Sequence, residues 1–167
     1  MVEVPKLDVI GMVSQLAASN VRYILIGGIA AQTMDLPVPA TIDLDITPMR
    51  TQGNLRNLSH FFSATDTALM TADDGGTWFP HHLIGNWAQY DTLHLINRYG
   101  LLDIVFRPEG ASNGYEDLIG ASSKNQIGEQ KIQIITEEQW VELKTASGRE
   151  KDLEHLAMYF AKKHGRR

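Results

Sequence analysis

Thr41-Ile-Asp-Leu-Asp-Ile46 alternates polar and apolar residues. That is the pattern of a strand buried on one face, and it sends Asp43 and Asp45 to the same side. Two carboxylates about 6–7 Å apart repel by roughly 2–3 kcal/mol at an effective dielectric of ~20. A fold carries such a pair when water solvates it or when a cation lies between the charges. Hard oxygen ligands of this kind suit magnesium or manganese. An Asp-x-Asp pair alone is equally an ordinary solvated strand face.

Asp103 sharpens the choice. It interrupts Leu101-Leu-Asp-Ile-Val-Phe106, a run apolar on both alternating faces, where an isolated carboxylate is costly and demands a partner. One kind of partner is a backbone amide or an arginine such as Arg98 or Arg107; the other is a cation shared with Asp43 and Asp45. Carboxylates from neighbouring strands can hold two divalent ions, which stabilise the attacking and leaving oxygens of a phosphoryl displacement. Upstream, the apolar strand Tyr23-Ile-Leu-Ile26 runs into Gly27-Gly28, and a helix is predicted over Ile29 to Met34. The glycine pair is either a tight strand-to-helix connection or a turn whose bare backbone lets phosphate oxygens approach the amides. It is neither GxGxxG nor a Walker loop, which disfavours dinucleotide-binding and P-loop architectures.

The rest of the chain supplies a mixed sheet and its helices. Leu7, Ile10, Val13, Leu16 and Ala17 fall at helical spacing, with Asn20 as the stop. Asn54 to Ala64 reads as a helix with Leu55, Leu58, Phe61 and Phe62 on its apolar side. Leu93 to Ile96 and Leu101 to Phe106 flank Asn97-Arg-Tyr-Gly100 as an antiparallel hairpin. A short helix follows at Tyr115 to Ala121 and a last strand at Lys131 to Ile135. Thr136 with Gln139, and Ser147 with Glu150, fit the capping box and predict helices over 137–146 and 148–164, broken near Ser147-Gly148. Pro37-Val-Pro39 and Asp73-Asp-Gly-Gly76 read as loops. The expected fold class is therefore α/β (α+β), a mixed sheet flanked by helices with a C-terminal helix pair. The 167 residues read as one domain, with a core over about 21–135 and C-terminal helices over about 136–164.

Composition removes several functions. The absence of cysteine excludes disulfides, thiolate zinc sites and cysteine nucleophiles. No apolar run approaches the ~20 residues of a membrane helix, and Met1-Val-Glu-Val-Pro-Lys6 lacks a signal-peptide pattern, so a cytoplasmic protein with no membrane partner is expected. A net charge of −5 argues against a surface that grips nucleic acid everywhere, although Lys144, Arg149, Lys151, Lys162, Lys163, Arg166 and Arg167 gather late. Those residues read as exposed charge on an amphipathic helix pair and a solvated terminus, or as a local phosphate-binding strip. On an unbroken helix Lys144, Lys151 and His155 would share a face, which a break at Gly148 would spoil. Lys144, between Leu143 and residues leading to Ala146, is the one expected to point inward. His81-His82 read as a surface or acceptor-site loop, and His94 and His155 as structural singletons. Trp78, Phe79 and Trp87 read as core or loop anchors, with base stacking as the alternative. No Gly-x-Ser-x-Gly elbow supports serine catalysis.

Taken together, Ile26-Gly-Gly-Ile-Ala-Ala31, Thr41-Ile-Asp-Leu-Asp45 and Leu102-Asp-Ile104 resemble the nucleotidyltransferase superfamily with its DNA polymerase beta-like fold. Gly114-Tyr-Glu-Asp-Leu118 and Leu143-Lys-Thr-Ala-Ser-Gly-Arg-Glu-Lys-Asp-Leu-Glu-His-Leu156 extend the resemblance to small bacterial AbiEii-type toxins. It covers the chain from about Val21 to Tyr159. The resemblance implies that Asp43 and Asp45 ligate Mg2+ or Mn2+ bridging an NTP. It implies that Asp103 completes a metal site and helps deprotonate the acceptor hydroxyl, with Gly27 and Gly28 beneath the phosphates. Lys144 would neutralise triphosphate charge, and Asp152 would position Lys144 or Arg149, with Arg149 and Lys151 beside the nucleotide. The implied activity is transfer of a nucleoside monophosphate from an NTP to an acceptor hydroxyl. RNA or tRNA would be the acceptor, and an antitoxin protein the partner. The alternatives are nucleotidylation of an antibiotic or a protein, or a catalytically weak nucleotide-binding module acting through a protein partner. Gly28 stands where many relatives carry serine, and the chain is shorter than many toxin relatives.

Overall fold

The computed structural model of the chain describes residues 3–71 and 76–165. Most of the Asp73-Asp-Gly-Gly76 loop, and Arg166 and Arg167, lie outside the described residues. The order of helices and strands is α1 (Val9–Ala18), β1 (Tyr23–Ile26), α2 (Gly27–Thr33), β2 (Asp43–Pro48), α3 (Gln52–Ala64), β3 (Ala68–Met70), β4 (Phe79–Pro80), β5 (Thr92–Asn97), β6 (Gly100–Val105), α4 (Tyr115–Leu118), β7 (Ser122–Ile127), β8 (Gln130–Ile135), α5 (Glu137–Ser147) and α6 (Glu150–His164). The strands form one eight-stranded sheet in the order β4-β3-β5-β6-β2-β1-β8-β7. It is mixed: β2 runs parallel to β6 and β1 parallel to β8, while the other neighbours are antiparallel.

The local chemistry explains the boundaries. Asp8 accepts from the Gly11 amide at 2.9 Å and starts α1, which buries Met12, Val13 and Leu16. Asn20, with φ 55, turns the chain out of that helix, since asparagine tolerates the left-handed region. All four residues of β1 are buried, as befits a central strand. Helix α2 begins directly at Gly27, two residues earlier than the sequence pattern predicts, so both glycines belong to its first turn. Strand β2 is displaced two residues towards its C-terminus relative to expectation and ends at Pro48. Thr51 caps α3, whose Leu58, Phe61 and Phe62 are wholly buried.

Thr136 accepts from the Gln139 amide at 3.2 Å and opens α5 as predicted. Gly148, with φ 60, closes that helix. The second expected cap is not made: Ser147 is the last residue of α5, and α6 starts at Glu150 after Arg149 with no side-chain cap. Ser147 instead accepts from Arg149 Nε at 3.1 Å. The predicted Tyr115 to Ala121 helix is one α turn to Leu118 followed by a 3-10 turn. Strands β3, β4 and β7 were not expected. β7 is an edge strand of Ser, Lys, Asn and Gln with little burial, so it carries no apolar alternation to read.

Candidate active site

Four strands bring one face of the sheet together at a single register. Asp45 of β2 pairs with Ile26 of β1 on one side and with Asp103 of β6 on the other, and Asp103 pairs with His94 of β5. Along β2 and β6 the alternate residues Leu44, Ile46, Leu102 and Ile104 are wholly buried. Asp43, Asp45 and Asp103 point the other way and are each partly exposed. The sequence pattern predicts burial on both sides of Asp103; instead Leu101, Asp103 and Val105 share a face of β6 that is only partly covered.

One carboxylate oxygen from each of Asp43, Asp45 and Asp103 lies within 4.8 Å of the others. Burial drives Asp45 well above the usual carboxylate range; the charges of Asp43 and Asp103 push it further up, and Lys144 and Lys151 pull it down. Two of the three acids are held by neighbours. Thr41 Oγ1 donates to Asp43 Oδ1 at 2.7 Å. His94 Nδ1 contacts Asp103 Oδ1 at 2.7 Å. That hydrogen bond raises His94 above 6.5 against the opposing effect of burial, and the three aspartates add to it. The arginines considered for Asp103 are engaged elsewhere: Arg98 donates to the Ala64 carbonyl and Arg107 approaches Asp91. The partner of Asp103 is His94, which sequence reasoning assigned a structural role.

Gly27 sits against this cluster with φ 72. A β-carbon there would overlap the Asp45 carboxylate, so both the backbone angle and the packing require glycine. At Gly28 a β-carbon would lie 3.0 Å from Thr41 Cβ and 3.1 Å from its Cγ2. The space a side chain at Gly28 would enter is therefore bounded by Thr41 from the facing loop, whose hydroxyl is already committed to Asp43. Gly28→Ser is expected to crowd Thr41 and cost about 1 kcal/mol, lowering the melting temperature by roughly 2–4 °C. Thermal unfolding by circular dichroism measures this, and an unchanged midpoint would show that Thr41 yields freely.

A second group of charges is tied together between α5 and α6. Lys144 Nζ donates to Asp152 Oδ1 at 2.9 Å and contacts His155 Nδ1 at 3.2 Å. Arg149 Nε donates to Asp152 Oδ2 at 2.8 Å. The Asp152 side chain is 1% exposed, that of Lys144 13% and that of Arg149 74%. Burial would raise Asp152, but hydrogen bonds from Arg149, Lys144 and Ser147 outweigh it and hold the carboxylate well below its usual range. Burial, then the charges of Lys144 and Lys151, lowers His155. Neutral His155 therefore offers Nδ1 as an acceptor to the lysine. The break at Gly148 ends the continuous helix on which Lys144 and His155 would have shared a face. The two residues meet because α6 folds back on α5. The charges of Lys144 and Lys151 lower Asp45, and those of Asp45 and Asp103 help to raise Arg149, so the two groups lie near enough to interact electrostatically.

Other residues singled out from the sequence lie apart from the cluster. His81 contacts Ser63 and the Thr67 carbonyl, and Trp87 packs edge-on against Phe62 at 4.9 Å as an anchor. Among the described residues, no helix is long and apolar enough to cross a membrane.

The architecture is that of the nucleotidyltransferase-like fold: a mixed α/β molecule with an eight-stranded sheet, six α-helices among the described residues and a C-terminal helix pair. It is similar to the solution structure of the antibiotic-resistance factor ANT(2'')-Ia, with a TM-score of 0.55. The match covers 92% of this chain and 83% of that one at 12% sequence identity. No protein-family model and no curated protein matches the sequence.

Proposed function

We propose that this chain transfers a nucleoside monophosphate from an NTP to an acceptor hydroxyl, with Mg2+ or Mn2+ held by Asp43, Asp45 and Asp103. The observation that carries the reading is the convergence of three carboxylates within 4.8 Å beside a helix start bare of side chains. The donor set fits the ion: all oxygen, anionic and open on one side. The high affinity of Asp45 for a proton arises first from burial and then from the neighbouring charges of Asp43 and Asp103, and a divalent cation would favour the ionised form against both. When bound, such ions polarise the phosphoryl oxygens and neutralise charge developing at the attacking and leaving groups. Gly27 and Gly28 would let the triphosphate approach the amides of α2, and Lys144, braced by Asp152 and His155, would face it with Arg149 and Lys151 nearby. Asp103 would accept the proton of the acceptor hydroxyl.

The acceptor we favour is RNA, tRNA among it, as implied by the AbiEii-type toxins that the Gly114 to Leu118 and Leu143 to Leu156 segments resemble, with an antitoxin protein as partner. The likeness of fold to an antibiotic-resistance factor favours a second reading, in which the acceptor is a small molecule. Incubation with labelled NTPs and Mn2+, first with total RNA and then with a panel of antibiotics, separates them. Labelled RNA supports the first reading and a labelled antibiotic the second. If neither is labelled by the wild type, or if Asp43→Ala labels as well as wild type, the proposal fails.

A further inference from the structure

We infer that His94 is a positioning residue of this site: its Nδ1–H holds one oxygen of Asp103 so that the other faces a divalent cation. The inference rests on the metal-dependent reading above and adds to it a residue outside the carboxylate set.

The geometry carries it. A carboxylate has no proton to donate, so in the 2.7 Å contact the hydrogen belongs to His94 Nδ1 and the acceptor is Asp103 Oδ1. The bond joins residues that are direct partners across β5 and β6, in the same transverse row as Asp45 and Ile26. His94 therefore lies on the side of Asp45 and Asp103 away from the glycine bend, where it pairs in turn with Met70 of β3. Its side chain is 45% exposed, so filling space in the core is not its role. Its strand neighbours Leu93 and Leu95 are the ones wholly buried.

Arg98 and Arg107 are engaged elsewhere, which leaves the His94 contact to hold Asp103 within the 4.8 Å cluster. Asp43 receives the same service from Thr41. Each of these two acids thus keeps one oxygen tied to a neighbour and one available. Outer hydrogen-bond partners of ligating carboxylates commonly change metal affinity or activity by about 10–100-fold when removed.

The test uses the full chain and Mn2+ alone, followed by the electron paramagnetic resonance signal of the free ion. His94→Leu removes the donor and keeps an apolar side chain of moderate size. His94→Asn places an amide N–H where Nδ1 stands, two bonds from the β-carbon. Circular dichroism verifies that both remain folded. Mn2+ affinity is expected to fall about 10–100-fold in His94→Leu and to return to the wild-type value in His94→Asn. If His94→Leu binds as tightly as wild type, while Asp43→Ala binds no ion, the role of His94 is overturned and the metal site stands. Equal loss in both His94 variants overturns it as well, because the donor would then not be what matters. A wild-type chain that takes up no Mn2+ would remove the metal-dependent reading itself.

Discussion

Asp45→Asn is expected to melt higher than the wild-type protein while losing the proposed nucleotidyl transfer by about 10³-fold or more. The stabilisation follows from a charge that is both buried and crowded. Oxygens of Asp43, Asp45 and Asp103 lie within 4.8 Å of one another; at that range each charged pair costs about 3 kcal/mol for an effective dielectric of ~20. Partial protonation and the attraction of Lys144 and Lys151 already relieve part of it. The net gain on neutralising Asp45 should be roughly 1–3 kcal/mol, or about 3–10 °C in a chain of this size. Asparagine keeps the shape beside Gly27, so no new cavity offsets that gain. The loss of activity follows from the same charge: a bound cation contributes several kcal/mol of transition-state stabilisation, and each 1.36 kcal/mol is tenfold in rate. Differential scanning calorimetry with and without Mn2+ tests both halves. The ion should raise the melting temperature of wild type and leave Asp45→Asn unmoved. A variant that melts lower than wild type without metal would mean that the acidic face is held by something other than tolerated repulsion.

That stressed face is also the part of the molecule most legible in its sequence. Asp43 and Asp45 fall two apart on an alternating strand, and period-two geometry alone puts them on one side. The hairpin of β5 and β6 could be read from a glycine-containing loop between apolar runs, and it carries Asp103. Its pairing with β2 was not legible, because β2 and β6 are parallel neighbours more than fifty residues apart and no local turn chemistry specifies that register. For the same reason the link between His94 and Asp103 stayed hidden. A histidine directly across a hairpin from a suspected ligand was the available signal, and counting back through Asn97 and Gly100 would have found it. Strand β7 hid because an exposed edge has no buried face to pattern, although Gly128, with φ 59 at the first position of the Gly128-Glu129 loop, marked a tight hairpin turn. At the C-terminus the helix break was plain from Ser147-Gly148, but the contact of Lys144 with His155 depends on how the two helices fold together, and helical periodicity within one segment is silent on that.

Asp152→Asn should destabilise the protein strongly and loosen the cationic side of the site with it. The wild-type carboxylate is 1% exposed and is shared by Lys144, itself 13% exposed, and by Arg149. Removing one charge of a buried pair leaves its partner uncompensated and typically costs 3–5 kcal/mol. The Arg149 contact is largely solvent-exposed and adds little, so the lower end is the better guide and the melting temperature should fall by roughly 6–12 °C. The pH dependence has a definite sign. Asp152 titrates below its ordinary value of 3.8 in the folded state, so the unfolded chain takes up the proton first as acid is added. The stability it contributes is complete above about pH 3.8 and drains away as pH falls from there towards its lowered folded value. The gap in melting temperature between wild type and Asp152→Asn should be constant from pH 7 to about pH 5 and close below about pH 4. A double-mutant cycle with Lys144→Met assigns the contribution of the pair. A coupling of roughly 1–3 kcal/mol is expected, because the neutral pair no longer strands the lysine. In the transfer assay Asp152→Asn should raise KM for the NTP more than it lowers kcat, since a wandering Lys144 weakens ground-state and transition-state binding alike. A coupling near zero, or a pH-independent gap, would mean that α5 and α6 are joined by their apolar contacts and that Asp152 does not hold Lys144 in place.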